Sequence, residues 1–185
     1  MIPFPNKKYR VIYADPPWAY RNIKTGGSLK SGAAQKYPTM ELQEICSLPV
    51  KDISEDDSCL FLWATVPLLP EGLEVMRAWE FKYKTSVFWR KIMSLGLGYW
   101  FRGQVEICLI GIRGKIKPFR LQISNFIQSK AEMHSKKPTV MYSIIESTGL
   151  EPKIELFARE RRTGWDAWGL EVPDRNQSLI SEFGL

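Results

Sequence analysis

Short apolar runs rich in β-branched and aromatic residues alternate along this chain with segments whose apolar residues recur at helical spacing. "RVIYAD" (Arg10–Asp15) predicts a buried strand stopped by Pro16 and Pro17. "SCLFLWAT" (Ser58–Thr65) predicts a second strand, and "YKTSVFWRK" and "VEICLIGIRG" two more. "ISNFIQSK" predicts a short one, and "KIELFAR" (Lys153–Arg159) a last buried strand ahead of a short "TGWDAWGLE" element. Between them, "TMELQEICSL" predicts a helix capped by Thr39, and "LLPEGLEVMRAWE" places Leu69, Leu73, Met76 and Trp79 near one helical face. "KPTVMYSIIESTG" predicts a third helix, with Pro138 suited to its first turn and Gly149 just past its end. Strands alternating with helices predict an α/β domain with a mixed, mostly parallel sheet flanked by helices, in which ligands sit beyond the carboxyl ends of the strands. "ADPPW" and "LFARERR" both stand at such ends.

The 185 residues fit one domain, over 1–175, followed by a polar tail at 176–185. No apolar run approaches the roughly 20 residues of a membrane span, and "MIPFPNKKYR" lacks the apolar segment of a signal peptide. Cys46, Cys59 and Cys108 are odd in number and lack metal-ligand spacing, which suits reduced thiols in a cytoplasmic protein, nucleoid-associated if bacterial. His134 is the only histidine, which argues against a zinc site or a histidine-based nucleophile system, and no metal is expected. The net charge of +6 is unevenly spread. From Glu41 to Glu80 nine acids face only Lys51 and Arg77, whereas from Phe81 to Lys137 twelve bases face only Glu106 and Glu132. Such segregation predicts one positive face, suited either to a polyanion or simply to solvent. "RNIKTGGSLKSGAAQK", after the first strand, reads as a long basic loop whose lysines and arginines suit phosphate contact equally well.

"DPPW" can be read in two ways. It is either a stiff structural loop or a pocket that holds an amine. Asp15 offers a carboxylate at a strand end, Pro16 and Pro17 fix the backbone and leave carbonyl acceptors, and Trp18 offers a flat face for stacking. Two acceptors beside an aromatic plate suit the exocyclic amine of adenine. Holding both of its N–H groups favours the tetrahedral nitrogen that attacks an electrophilic methyl directly. There is no GxGxxG after a strand, so a nicotinamide-type dinucleotide site has no support. Trp63, Trp79, Trp89 and Trp165 read as packing residues, while Trp100 in "LGLGYWFRG" is a candidate for stacking on a base. Glu106 interrupts an apolar strand and needs a partner if buried, either as a structural salt bridge or beside a ligand.

"ADPPW", "YPTM", "LFLWAT", "GYWFRGQVEICLIGIRG", "HSKKP" and "KIELFAR" occur in this order over most of the chain. The series resembles the MT-A70 family of S-adenosylmethionine-dependent adenine-N6 methyltransferases, in a short prokaryotic or phage-like form. The resemblance implies a Rossmann-like methyltransferase sheet in circularly permuted order, with the catalytic strand first and the cofactor-binding strand near the end. It implies catalytic roles for Asp15, Pro16, Pro17 and Trp18. Substrate-side positions are Tyr37 of "YPTM" with neighbouring Lys36, and Trp100 and Arg102 of the following loop. Cofactor contacts fall to Asp15, Lys137, Glu155, Phe157 and Arg159. Where the family has a His-Asn-type pair after that arginine, this chain has "ERRTGW", so Arg161 or Arg162 substitutes. Where the family has Asn-Gln, this chain has Leu170-Glu171, which makes Glu171 a candidate for the ribose hydroxyls. The expected substrate is adenine in DNA, flipped out or single-stranded. The alternatives are adenosine in RNA, or a catalytically silent nucleic-acid-binding subunit, and a homodimer or a heteromeric partner fits any of the three.

Overall fold

The computed structural model describes residues 2–19, 38–92, 100–130 and 136–172. Seven strands form one sheet: β1 (Tyr9–Ala14), β2 (Ser54–Thr65), β3 (Lys82–Ile92), β4 (Val105–Arg113), β5 (Phe126–Lys130), β6 (Lys153–Leu156) and β7 (Asp166–Trp168). Their order across the sheet is β5-β3-β4-β2-β1-β6-β7. β1 runs parallel to β2 and β6, β6 to β7, and β3 to β5, while β4 is antiparallel to both of its neighbours. This is the mixed, mostly parallel α/β sheet that the alternation of apolar runs predicts, with the Rossmann-like architecture that the family resemblance implies. β1 lies in the middle, between a strand near it in sequence and one near the end of the chain, so its carboxyl end opens where ligands collect in such sheets.

β1 and β2 read as unbroken apolar runs because both of their faces are covered. On one face Ile12, Leu60, Leu62 and Leu109 pack beneath α1 (Leu42–Cys46) and α2 (Leu69–Ala78). On the other, Val11, Tyr13, Phe61, Trp63 and Cys108 pack with Met141, Tyr142 and Ile145 of α3 (Val140–Glu146). The buried indoles are tied down by their N–H groups: Trp63 donates to the Tyr13 hydroxyl at 2.7 Å, Trp79 to the Ile45 carbonyl at 2.9 Å, Trp89 to Ser129 Oγ at 2.8 Å and Trp165 to Glu146 Oε1 at 2.9 Å. All four are packing residues, as their apolar surroundings predict.

Three boundaries differ from the sequence reading. The cap of α1 is Glu41, not Thr39. The Glu41 N–H donates to Glu44 Oε2 at 2.7 Å and the Glu41 side chain accepts the Glu44 N–H, so Glu41 itself does the work expected of the threonine in a reciprocal capping box. Pro138 lies just before the α3 cap, Thr139, and its carbonyl accepts the Met141 N–H at 3.0 Å. "KIELFAR" is a strand only as far as Leu156, because Phe157 turns into the left-handed region at φ 62° and re-aims the chain toward Arg159. Beyond β7, Gly169 sits so close to β6 that a Cβ there would lie 2.1 Å from the Ala158 carbonyl oxygen.

Candidate active site

Side chains alternate along a strand, so Asp15, two residues past Tyr13, projects to the α3 side of the sheet. The segment leading into α3 brings Lys137 to meet it, and Lys137 Nζ donates to Asp15 Oδ2 at 2.7 Å. The same ammonium lies 3.2 Å from Glu106 Oε2 and 5.6 Å from the centroid of the Trp63 ring. Glu106 is the second residue of β4 and faces Thr65 of β2 and Trp89 of β3 in register, which puts it at the same sheet edge as Asp15. Its other carboxylate oxygen pairs with Lys91 near the end of β3. A chain of alternating charges therefore runs Lys91–Glu106–Lys137–Asp15 along the carboxyl edge. Lys137 and Glu106 are each 12% exposed and Asp15 is 31% exposed, so the acid at the end of the chain is the one open to a ligand.

The charges answer to burial and to one another. Burial pushes the Asp15 carboxyl above the usual range, and Lys137 only partly pulls it back. Burial also opposes ionised Glu106 and Lys137, but their pairing wins: Glu106 is held below its ordinary value, and Lys137 above its own by Asp15 and Glu106. Lys137 is an ammonium throughout the physiological range.

The DPPW turn is stitched on its far side. The Trp18 N–H donates to the Pro16 carbonyl at 2.9 Å, the Met40 N–H to the Pro17 carbonyl at 2.8 Å, and the Ala19 N–H to the Met40 carbonyl at 3.1 Å. Both proline carbonyls therefore already carry one internal bond, where the sequence left them open, and each has only its second lone pair for a ligand. Trp18 is likewise turned inward. It is 9% exposed, packs in the core, and donates its indole N–H to the Trp63 carbonyl at 3.0 Å. Here the structure corrects the expectation of an open stacking plate: the indole fixes the turn against β2. The Met40 bridge draws "YPTM" against "DPPW" as well, although Lys36 and Tyr37 themselves lie outside the described residues.

On the β6 side, Glu155 is in register with Tyr13 of β1 and accepts the Tyr142 hydroxyl proton at 2.9 Å and 3.0 Å through its two oxygens. The Arg162 guanidinium lies 3.8 Å from the centroid of the Tyr142 ring. Burial pushes the Glu155 carboxyl up to about 7, against the pull of Tyr142 and Arg162. Arg159 and Glu171 meet at 3.7 Å beyond the end of β6, 39% and 47% exposed. The two arginines that the sequence could not tell apart now differ: Arg162 packs on Tyr142, where its charge acts on Glu155, while Arg161 is exposed. Phe157 sets its ring edge-on against Trp168 with centroids 5.5 Å apart. Trp100 and Arg102 are exposed just ahead of β4, Trp100 at 94%. His134 lies outside the described residues.

Two contributors escaped the sequence reading. Lys91 follows Trp89 at the spacing of a strand face, and a base two residues from an inward-facing tryptophan is the signal that it closes a buried pair. Tyr142 sits on the inner face of α3, where a phenol reads as core until its hydroxyl finds Glu155.

The MT-A70 family model matches residues 9–171, a span that takes in every element of this edge. The chain belongs to the MT-A70 family. Among similar proteins, the type II methyltransferase M.MunI of a Mycoplasma species is 38% identical over 204 residues, covering 96% of this chain and 84% of its own length. The N(6)-adenosine-methyltransferase MT-A70-like protein of Arabidopsis thaliana is 29% identical over 174 residues, 89% of this chain. The human N(6)-adenosine-methyltransferase catalytic subunit METTL3 is 29% identical over 162 residues, 82% of this chain. The chain spans 24% and 26% of the length of these last two. Membership in this methyltransferase family implies S-adenosylmethionine as the methyl donor. Among the described residues no cluster of three or more His, Cys, Asp or Glu side chains is placed to hold a metal, and no helix is long and apolar enough to cross a membrane.

Proposed function

We propose that this MT-A70 protein transfers a methyl group from S-adenosylmethionine to the N6 amine of adenine in DNA, on a base that is flipped out or single-stranded. The observation that carries the reading is Asp15: a partly exposed carboxylate at the carboxyl end of the central strand, anchored by Lys137 and held above the usual carboxylate pKa. The donor set fits the methyl donor. Glu155 and Glu171 offer acceptors for a ribose diol, Arg159 and Lys137 offer cations for a carboxylate, and Asp15 offers an anion for an ammonium. When bound, S-adenosylmethionine supplies a methyl group on a sulfonium, open to in-line attack by a nitrogen lone pair.

Asp15 Oδ1 accepts one N–H of the adenine amine while Oδ2 stays on Lys137. The free lone pair of the Pro16 carbonyl, or the carbonyl of Asp15 itself, accepts the other. Both acceptors favour a tetrahedral nitrogen, and the pinned turn holds them in place at no cost during the reaction. The raised pKa of Asp15 makes it a better proton acceptor than an ordinary aspartate once the nitrogen has become cationic. Lys137 then steadies the site by staying charged, with Glu106 and Lys91 holding it from behind.

M.MunI, a type II methyltransferase similar over most of both chains, favours DNA as the substrate. Adenosine in RNA is the second reading, supported by the likeness to the two N(6)-adenosine-methyltransferases. The intact Asp-Pro-Pro-Trp turn speaks against a silent subunit. The test is Asp15→Ala, assayed for labelled-methyl transfer and for S-adenosylmethionine binding by calorimetry. Transfer falls at least a thousandfold while much of the S-adenosylmethionine affinity remains; full activity in the variant overturns the mechanism. Failure of the parent to bind millimolar S-adenosylmethionine would instead favour the silent subunit.

A further inference from the structure

α2 packs over β2 and β4 and meets the start of β3, leaving the carboxyl half of β3 and β5 outside its cover. Gly72 lets the helix down onto Leu109, where an added Cβ would sit 2.9 Å from the leucine methyl. Beyond it, on the same side, β3 and β5 present one continuous face. Phe88 is in register with Ile107 of β4, which fixes which way its ring points, and with Phe126 of β5. Two residues on, Arg90 pairs with Gln128, and two further Ile92 pairs with Lys130. None of these six is buried: Phe88 is 36% exposed, Phe126 45% and Ile92 40%. Arg90 donates to Gln128 Oε1 at 3.2 Å, which spans the two strands and leaves the guanidinium further donors.

Two aromatic rings side by side on an open sheet, with an arginine in the next row and a lysine in the one after, make a surface for flat anionic polymers. Rings of this kind stack bases, and the bases beside them meet the phosphates. The charge agrees. The face itself carries Arg90 and Lys130 and no acid, within a stretch, residues 81–130, that has ten lysines and arginines and one acid, Glu106; of the ten, Lys91 is held by Glu106 and Arg113 by Glu80. A second copy of the chain docked here face to face would bring two such basic surfaces together. β3 and β5 run parallel to β1 in direction, so Ile92 and Lys130 end at the same sheet edge as Asp15, although the Phe88 face looks to the α2 side and the Asp15 side chain to the α3 side. The separation from β3 to β1 is three strand spacings, roughly 14 Å.

We propose that the Phe88/Phe126 face is a single-strand binding platform, which holds unpaired nucleotides on the α2 side of the sheet while the strand passes round the shared carboxyl edge to reach the Asp15 site. It deepens the reading above by naming a single-stranded segment as the substrate form, and it rests on that reading only for the use made of the bound strand. A duplex keeps its base faces stacked inside and gains nothing from the two rings.

The test is fluorescence anisotropy with a labelled oligo-dT, which contains no adenine, alongside a duplex of mixed sequence. Phe88→Ala/Phe126→Ala weakens oligo-dT binding at least tenfold, leaves duplex binding within twofold, and leaves S-adenosylmethionine affinity unchanged. Phe88→Tyr/Phe126→Tyr restores oligo-dT binding. Arg90→Ala lowers the salt dependence by about one phosphate contact. Should the alanine pair fold poorly, ultraviolet cross-linking of a bromodeoxyuridine oligonucleotide to the parent protein reads the same contact, with adducts expected in 82–92 and 126–130. Oligo-dT affinity within twofold of the parent, adducts confined to other segments, or sedimentation showing a parent dimer that the alanine pair converts to monomer would each overturn the platform. Loss of methyl transfer with oligo-dT binding intact would count against the proposed activity and leave the platform standing.

Discussion

Replacing Lys137 by methionine keeps most of the side-chain volume and removes the charge that joins Asp15 to Glu106. Lys137 sits 2.7 Å from Asp15 Oδ2 and 3.2 Å from Glu106 Oε2, and is itself 12% exposed. Removing one partner of a buried pair costs about 3–5 kcal/mol, because the remaining charge is left in a poorly solvated place. Asp15 is 31% exposed and Glu106 keeps Lys91, so screening reduces this to about 2–4 kcal/mol. For a chain of this size each kcal/mol shifts Tm by roughly 2–4 °C, so Lys137→Met lowers Tm by roughly 5–15 °C at pH 8. The pH dependence separates lost charge from lost packing. Asp15 has a folded pKa above its unfolded one, so its ionisation costs stability as pH rises through that window, and without Lys137 the cost grows. Glu106 has a folded pKa below its unfolded one, so the stability it contributes is present above about pH 4.5 and fades as pH falls. Both signs make the variant's deficit largest at pH 8 and smallest near pH 4. Thermal melts by circular dichroism at the two pH values read it directly. A deficit equal at both, or below about 2 °C at pH 8, would refute the electrostatic account of this edge.

Glu155 gives a second pH signature. Its carboxyl is pushed from 4.5 to about 7, so the proton it holds when folded favours the native state below pH 4.5, and that contribution is lost as pH rises through 7. Partial exposure limits the effect to about 2 kcal/mol; Glu155→Gln flattens the fall in Tm between pH 5 and 8, and an unchanged slope would contradict the assignment. Gly169→Ala forces a Cβ to 2.1 Å from the Ala158 carbonyl oxygen, so β7 must shift from β6, with an expected loss of about 3 kcal/mol and a Tm drop visible by calorimetry. Trp18→Phe removes the indole N–H from the Trp63 carbonyl and costs about 1–3 kcal/mol. Loosening the DPPW turn also lowers kcat more than it raises KM, whereas a KM effect alone would mean that Trp18 chiefly binds substrate.

The sheet was legible in the sequence wherever burial writes an unmistakable pattern. "LFLWAT" and "VEICLIGIRG" are apolar on both faces because helices, α3 or a neighbouring segment cover both sides, and each is a strand where expected. Cap chemistry was less legible: threonine is the favoured cap by type, and only the pairing of Glu41 with Glu44 moves the cap to Glu41. The last strand was overlong because the sequence does not mark Phe157 as the residue that adopts positive φ. At the site, Asp15 and Lys137 are 122 residues apart, and the motif resemblance named both without giving their contact. Glu106 was legible as a charge needing a partner, but a strand pattern cannot say that two lysines from different elements supply it. Trp18 was misjudged for a physical reason. A tryptophan beside two prolines looks available for stacking, and only packing shows the indole N–H already spent on Trp63.

The most direct measurement of the central claim is nucleoside mass spectrometry after incubating the full-length protein with isotope-labelled S-adenosylmethionine and matched DNA and RNA oligonucleotides, single-stranded and duplex. The account predicts labelled N6-methyladenine in the DNA, more from single strands than from duplex, and none from the Asp15→Ala variant. Label on another atom, or label on N6 that persists undiminished without Asp15, would contradict it.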